Sequence, residues 1–212
     1  MTAAFHHFIS NLIRLLFSKQ CAVCQKTAFL SFCQPCLKQL ADESQIKSET
    51  LNNSTIFYLY SYHPKIKTLI AKIKYGLEPE LLILFLDYLK NQLQKIDQTL
   101  NYPLYIPVPL HIQKLLKRKF NQADLIAKAF HPSRTYPIIK RVKETKALHG
   151  LTKKERGLEI QKAFEKNGLL KSKRICLVDD IFTTGSTLTE ISKLFPDTKI
   201  DYFCLAKTPL RL

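Results

Sequence analysis

Apolar and polar positions along this chain change period several times, and each change marks an element. Ile56 to Tyr62 is a run of β-branched and aromatic residues, the composition of a strand. Pro64 then opens a helix through about Tyr75, with Ile66, Leu69, Ile70 and Ile73 inward and Lys65, Lys67, Lys72 and Lys74 outward. A second helix is predicted over about 79–96, apolar enough at its start (PELLILFLDYL) to require burial there. Strand 104–108 (LYIPV) precedes a basic loop over 111–120 and a helix beginning near Asn121. A strand over 136–142 and a helix from Thr152 follow, with Thr152 and Glu155 spaced as a capping box. Strand 174–178, helix 186–195 and strand 199–205 close the chain. From residue 104 strands alternate with helices, which implies βαβ units: an α/β fold with a mainly parallel sheet flanked by helices. The polar stretch 41–54 reads as a boundary or loose loop, so the expected domains are 1–50 and 51–212.

The first fifty residues add chemistry. Cys21, Cys24, Cys33 and Cys36 have the spacing C-x2-C-x8-C-x2-C. Two CxxC turns can each offer two thiolates to a tetrahedral Zn²⁺, and four sulfurs close its shell. Such a metal is structural and staples a segment too short for its own core. Two disulfides are the rival reading, but no secretory signal is expected from the N-terminus and a reducing cytoplasm would open them. Cys176 and Cys204 lie in apolar runs and read as small core residues. No apolar run is long enough to span a membrane, about 18 residues. Residues 5–17 (FHHFISNLIRLLF) form an amphipathic helical face whose expected role is docking on the chain's own domain, with peripheral membrane contact as the alternative.

The most informative segment is 176–188, CLVDDIFTTGSTL. An apolar strand ends in Asp179-Asp180, at the carboxyl edge where parallel sheets bind ligands. Thr183, Thr184, Gly185, Ser186 and Thr187 then lead into a helix. Their amides and hydroxyls suit a dianionic phosphate, and there is no Walker lysine. The paired carboxylates suit a vicinal diol. Phosphate plus diol describes a ribose 5-phosphate. An acidic pair for metal binding, as in phospho-receiver domains, is the bland alternative, but TTGST does not follow such a pair.

This segment resembles the 5-phosphoribosyl-1-pyrophosphate (PRPP) loop of type I phosphoribosyltransferases. The CxxC pair, Ile106-Pro107-Val108-Pro109-Leu110, Arg118-Lys119-Phe120-Asn121-Gln122, Ala163-Phe164 and LVDDIFTTGST together resemble the ComF family. That family joins a zinc finger to a phosphoribosyltransferase fold, and the match covers nearly the whole chain. The resemblance implies that Asp179 and Asp180 hold the ribose hydroxyls, and are the catalytic pair if the chain turns over. Thr183 to Thr187 would hold the 5′-phosphate. The Pro107–His111 turn, with Pro109 and Leu110, stands in the place of the pyrophosphate loop. Mg²⁺ would accompany PRPP. Three positions depart from the pattern: Lys119 replaces a glycine, Leu148 stands where Gln is frequent, and Glu159 where Asn is frequent. The family's context is natural transformation, which implies single-stranded DNA and a competence helicase or other DNA-uptake proteins as partners in the cytoplasm, or at the inner face of its membrane.

Charge bears on that choice. The 212 residues hold 33 basic and 17 acidic side chains, a net +16. Residues 111–175 alone hold 18 basic and 5 acidic, while 176–212 hold 4 and 5. The phosphate loop therefore does not explain the excess, and a longer polyanion does. Lys114, Lys117, Arg118 and Lys119 form one basic cluster, Lys140, Arg141, Lys143 and Lys146 a second, and Lys153, Lys154 and Arg156 a third. Lys114, Lys117, Arg118, Lys119, Lys153 and Arg156 are the candidate nucleic-acid contacts. Two further readings stand beside single-strand handling: an active phosphoribosyltransferase of nucleotide salvage, and a zinc-ribbon adaptor with neither activity. The residues reveal no nucleobase pocket; Tyr62 and His63 could stack a base, but core or rim packing is their expected role.

Overall fold

A computed structural model describes residues 19–28, 31–76, 78–144, 153–168, 170 and 172–209, with the side chains of 153, 154, 156 and 157 left aside. The expected helix over 5–17 and the residues Thr152, Lys146 and Leu148 lie outside this range, as do the side chains of Lys153, Lys154 and Arg156.

Strands β1 (Lys19–Gln20) and β2 (Thr27–Ala28) form a small antiparallel ribbon, followed by helix α1 (Gln34–Glu43). Strands β3 (Lys47–Leu51) and β4 (Ser54–Ser61) make a tight hairpin, with Asn52 supplying the positive φ (52°) that its turn requires. Stretch 41–54 is therefore ordered as the end of a helix and a hairpin, not a loose loop. Its polar residues face solvent from an edge strand. Helix α2 (Pro64–Tyr75) starts on proline, whose fixed φ suits the first turn, and buries Ile66, Leu69, Ile70 and Ile73 as its spacing predicts.

The single helix expected over 79–96 is two helices, α3 (Pro79–Tyr88) and α4 (Lys90–Leu100). They break at Leu89, whose ψ of 1° leaves the helical region while its side chain stays buried. The break lets the apolar α3 and the amphipathic α4 each turn their own face inward. Strand β5 (Tyr105–Pro107) leads to α5 (Ile112–Arg118) and α6 (Gln122–Phe130). Residues 112–118 are thus a helix rather than a basic loop: IQKLLKR contains no breaker, and His111 caps it by accepting from the Gln113 amide. Strand β6 (Ile139–Arg141), helix α7 (Lys153–Ile160) and strand β7 (Phe164–Lys166) follow, β6 and β7 pairing antiparallel. Strand β8 (Arg174–Phe182), helix α8 (Ser186–Ser192) and strand β9 (Lys199–Lys207) end the described chain.

The central sheet has the order β3-β4-β9-β8-β5. Only the β3 edge is antiparallel; β4, β9, β8 and β5 run parallel, in keeping with the expected α/β class. Both faces are covered, so its inner strands are almost wholly apolar. Cys176 and Val178 of β8 join one buried cluster with helices α2, α3, α4 and α6, while Ile175 and Leu177 join another with α8 and the β6–β7 ribbon. Cys176 and Cys204 are fully buried, as expected of core residues. Cys21, Val23, Phe32 and Leu40 from the cysteine-rich segment share the first cluster; Phe32 stacks on Phe85 at 6.0 Å and Tyr60 donates to the Leu40 carbonyl at 2.7 Å.

At the amino end of β8 and β9 the buried Asp201 carboxylate accepts from the Tyr102 hydroxyl at 2.6 Å and the Thr55 amide at 2.7 Å. Removing it strands a buried hydroxyl and a half-buried amide. Asp201→Ala is expected to lower stability by about 2–4 kcal/mol in urea unfolding; a midpoint equal to that of the unmodified chain contradicts this role.

Candidate ligand and metal sites

The four cysteines converge as their spacing implies. Their sulfurs lie within 4.8 Å of one another, with Cys24 and Cys33 3.7 Å apart, and all are free thiols. Sulfurs bonded at about 2.3 Å to one tetrahedral metal stand about 3.8 Å apart, so this cluster can hold one metal ion. Backbone holds the geometry: the Cys21 amide donates to Lys26 O at 2.8 Å, the Ala22 amide to Ser31 O at 2.7 Å, and Gln25 turns the first CxxC with φ 62°. Burial would push the Cys21 thiol up, but amides of the cluster outweigh it and bring it to about 6. Burial and the neighbouring sulfurs push Cys36 well up. One thiolate forms readily, and a bound cation supplies what is needed to deprotonate the rest.

The second site lies at the carboxyl edge of the sheet. β8 runs past its predicted end to Phe182, so Asp179 and Asp180 are strand residues, and their carboxyls come close enough to hydrogen-bond to each other. Asp179 accepts from the Tyr202 hydroxyl at 2.8 Å and from the Asp180 amide at 2.8 Å. Asp180 pairs with Lys74 Nζ at 2.5 Å. Burial and the adjacent Asp180 charge push Asp179 up to about 7. Burial would raise Asp180 too, but the Lys74 ammonium outweighs it and holds that carboxyl below the usual range. The pair is therefore split, one carboxylate firmly ionised and the other holding its proton toward neutrality.

Thr183, Thr184 and Gly185 follow directly. Among the described residues their amides donate to no acceptor, and the Thr184 and Ser186 hydroxyls lie 2.9 Å apart. Gly185 has φ 80°, a left-handed conformation that favours glycine, and a Cβ there would stand 2.7 Å from Leu51 Cδ2 and displace that side chain. Ser186 and Thr187 begin α8, half-buried beside the turn. Pro109 and Leu110 lie at the same sheet edge, after β5: the Val108 amide donates to Val178 O at 2.9 Å, and Asn121 Nδ2 to Val108 O at 3.1 Å. This fastens the turn next to the aspartates.

Cations ring the pair. Lys114 is depressed by burial and then by the charges of Arg141, Arg118 and Lys74. Arg141 is depressed by burial, against the opposing pull of Asp179 and Glu159, and its guanidinium lies 5.3 Å from the Phe164 ring centre. Arg118 donates from Nη1 to the buried Gln122 Oε1 at 3.0 Å. So Arg118 of the predicted cluster acts on Asp180, with Lys114 beside Arg118 and Lys74, while Lys117 and Lys119 stay exposed. Lys119 adopts φ 66°, taking with a side chain the left-handed turn that a glycine makes freely. Sequence reasoning placed Lys74 outward with its neighbours, and the structure turns it inward. It lies one turn beyond Ile70, flanking the apolar stripe, and that spacing was the available signal. Tyr202 and Arg141 carried no such signal. Tyr62 packs half-buried against the core and His63 pairs with Glu43 at 3.5 Å, the rim role expected of them.

Two outcomes follow from this geometry. The purified chain is expected to carry one zinc ion and to lose it in Cys24→Ser; metal analysis giving unchanged content contradicts a four-cysteine site. A carboxyl raised in the folded state contributes stability that is fully present below its unfolded value and lost as pH climbs through its folded one. For Asp179 that window runs from 3.8 to about 7. Asp179→Asn should therefore gain stability relative to the unmodified chain as pH rises from 4 to 8, and a pH-independent difference in thermal unfolding contradicts the split pair.

No protein-family model matches the chain. Competence protein F of Haemophilus influenzae is 42% identical over 96 residues, 42% of each protein, so the match spans less than half of that relative. Competence protein ComFC of Streptococcus pneumoniae is 24% identical over 180 residues, covering 84% of this chain and 75% of that one. Among solved structures, a UMP synthase of Leishmania donovani matches over 79% of this chain and 29% of its own at 17% identity, with a TM-score of 0.33, too slight to bear on the fold. Among the described residues no helix is long and apolar enough to cross a membrane. Through these homologues, together with the cysteine and LVDDIFTTGST motifs, the chain is similar to competence proteins of the ComF family.

Proposed function

We propose that the chain binds PRPP at the edge of β5 and β8 and serves DNA uptake by handling incoming single-stranded DNA in the cytoplasm. The observation that carries the first part is the convergence, at one sheet edge, of split carboxylates, half-buried cations and turn amides that have no acceptor among the described residues. Asp180, held ionised by Lys74, would accept from one ribose hydroxyl, and Asp179 from or to the other. The amides of Thr183, Thr184 and Gly185, with the hydroxyls of Ser186 and Thr187, would cradle the 5′-phosphate. Pro109 and Leu110 would border the diphosphate, and Lys114, Arg118 and Arg141 would balance its charge. Mg²⁺ would enter with the diphosphate. The cysteine cluster would hold Zn²⁺ in a structural role.

The names of the competence relatives support the second part, and so does charge. One diphosphate needs two or three cations, whereas residues 111–175 carry 18. The exposed Lys117 and Lys119 lie on or just after the helix that sends Arg118 toward Asp180, so phosphates of a strand could run from one to the other.

Titration calorimetry with PRPP and Mg²⁺ is expected to give binding that Asp180→Asn weakens tenfold or more; no heat of binding overturns the first part. Binding of a (dT) oligomer should fall with salt. Neutralising Arg118 and Lys119 to Gln should reduce the log–log slope by about 1.4, two phosphates at about 0.7 each. An affinity independent of salt overturns the second.

A further inference from the structure

We propose that Tyr75 and Arg118 form a stacking platform for one nucleobase of a single strand, at the rim of the acid pair. The inference rests on the nucleic-acid reading above and gives it the base contact that basic side chains alone cannot supply.

Tyr75 is the last residue of α2 and 76% exposed, more than any other large apolar or aromatic side chain among the described residues. Water, not a core, surrounds that ring. The preceding residue, Lys74, is the one whose ammonium holds Asp180 at 2.5 Å. Successive helical residues point about 100° apart, so the same backbone turn sends one side chain into the acid site and the next across its rim. The Arg118 guanidinium lies 5.8 Å from the Tyr75 ring centre, and its charge is felt at both Lys74 and Asp180.

The platform is built rather than fortuitous. Arg118 is anchored through Nη1 to Gln122 Oε1 at 3.0 Å, and Gln122 is itself only 4% exposed. A buried amide thus fixes one edge of the guanidinium while the chain end of α5 carries it to the ring. A tyrosine ring and a planar guanidinium are the two surfaces on which splayed bases of single strands stack, and neither selects by sequence. A phosphate neighbouring that base would find Lys117 and Lys119. A duplex, whose bases are already stacked, gains nothing here.

The test compares a (dT) oligomer with an abasic oligomer of the same length and charge. The unmodified chain is expected to prefer (dT) by about tenfold or more. Tyr75→Ala should bring (dT) down to the abasic level and leave the salt slope unchanged. The chain contains no tryptophan, so Tyr75→Trp places a single reporter at the platform. The indole emission of that variant should be quenched by (dT) and not by the abasic oligomer. A preference for (dT) that survives Tyr75→Ala, or an indole emission in Tyr75→Trp that does not respond to (dT), overturns the platform while leaving nucleic-acid binding intact. Failure of both oligomers to bind overturns the nucleic-acid reading and the platform together.

Discussion

Two neighbouring carboxyl groups at the end of a buried strand cannot both be charged unless a cation sits against one of them. Here Lys74 meets Asp180 at 2.5 Å, and much of the site's arrangement depends on that pair. The ammonium comes from the last turn of α2, so α2 must lie where its apolar face, Ile66 to Ile73, can dock on the sheet with Lys74 at its edge. Breaking a buried pair by removing one partner leaves an uncompensated charge, at a cost of about 3–5 kcal/mol. With the pair made, Asp180 stays ionised and Asp179 rises, so one strand end presents an acceptor and a group able to donate.

The second constraint is the packing of the sheet edge. Gly185 turns beneath Leu51 of the β3 edge strand, where any Cβ would crowd that side chain. Asn121 ties the turn after β5 to the start of α6, and Gln122 orients Arg118. Neighbouring residues of one short run, Arg118 to Gln122, thereby position a cation, a loop and a helix start together. The cysteine-rich segment is part of the same body, since Phe32 and Leu40 pack against Phe85 and Tyr60. A metal closing the four sulfurs would stiffen the helix α1 that rests on this core, at a distance from any ligand chemistry.

Local features were legible in the sequence, and features made by distant contacts were not. The cysteine cluster followed from spacing, the parallel sheet from alternating strands and helices, and the turn after Asp180 from its composition. Helix α5 was read as a loop because its lysines and arginine obscured an uninterrupted helical run. The break at Leu89 came from tertiary demand: two apolar faces point in different directions, which a one-dimensional pattern does not contain. Lys74 was misplaced because a lysine flanking an apolar stripe is ordinarily solvated, and only an aspartate far along the chain makes it inward. Arg141 and Tyr202 reached the acid pair the same way, through strands that approach it only in the fold.

The account turns on the claim that one sheet edge holds a phosphorylated ribose. A crystal of the chain grown with PRPP and Mg²⁺ tests it most directly. The account predicts the ribose diol on Asp179 and Asp180, the 5′-phosphate on the amides of 183–187, and the diphosphate toward Pro109, Leu110 and Arg118. Density for the ligand elsewhere, or an edge still closed by Lys74 and empty at saturating PRPP, would contradict it.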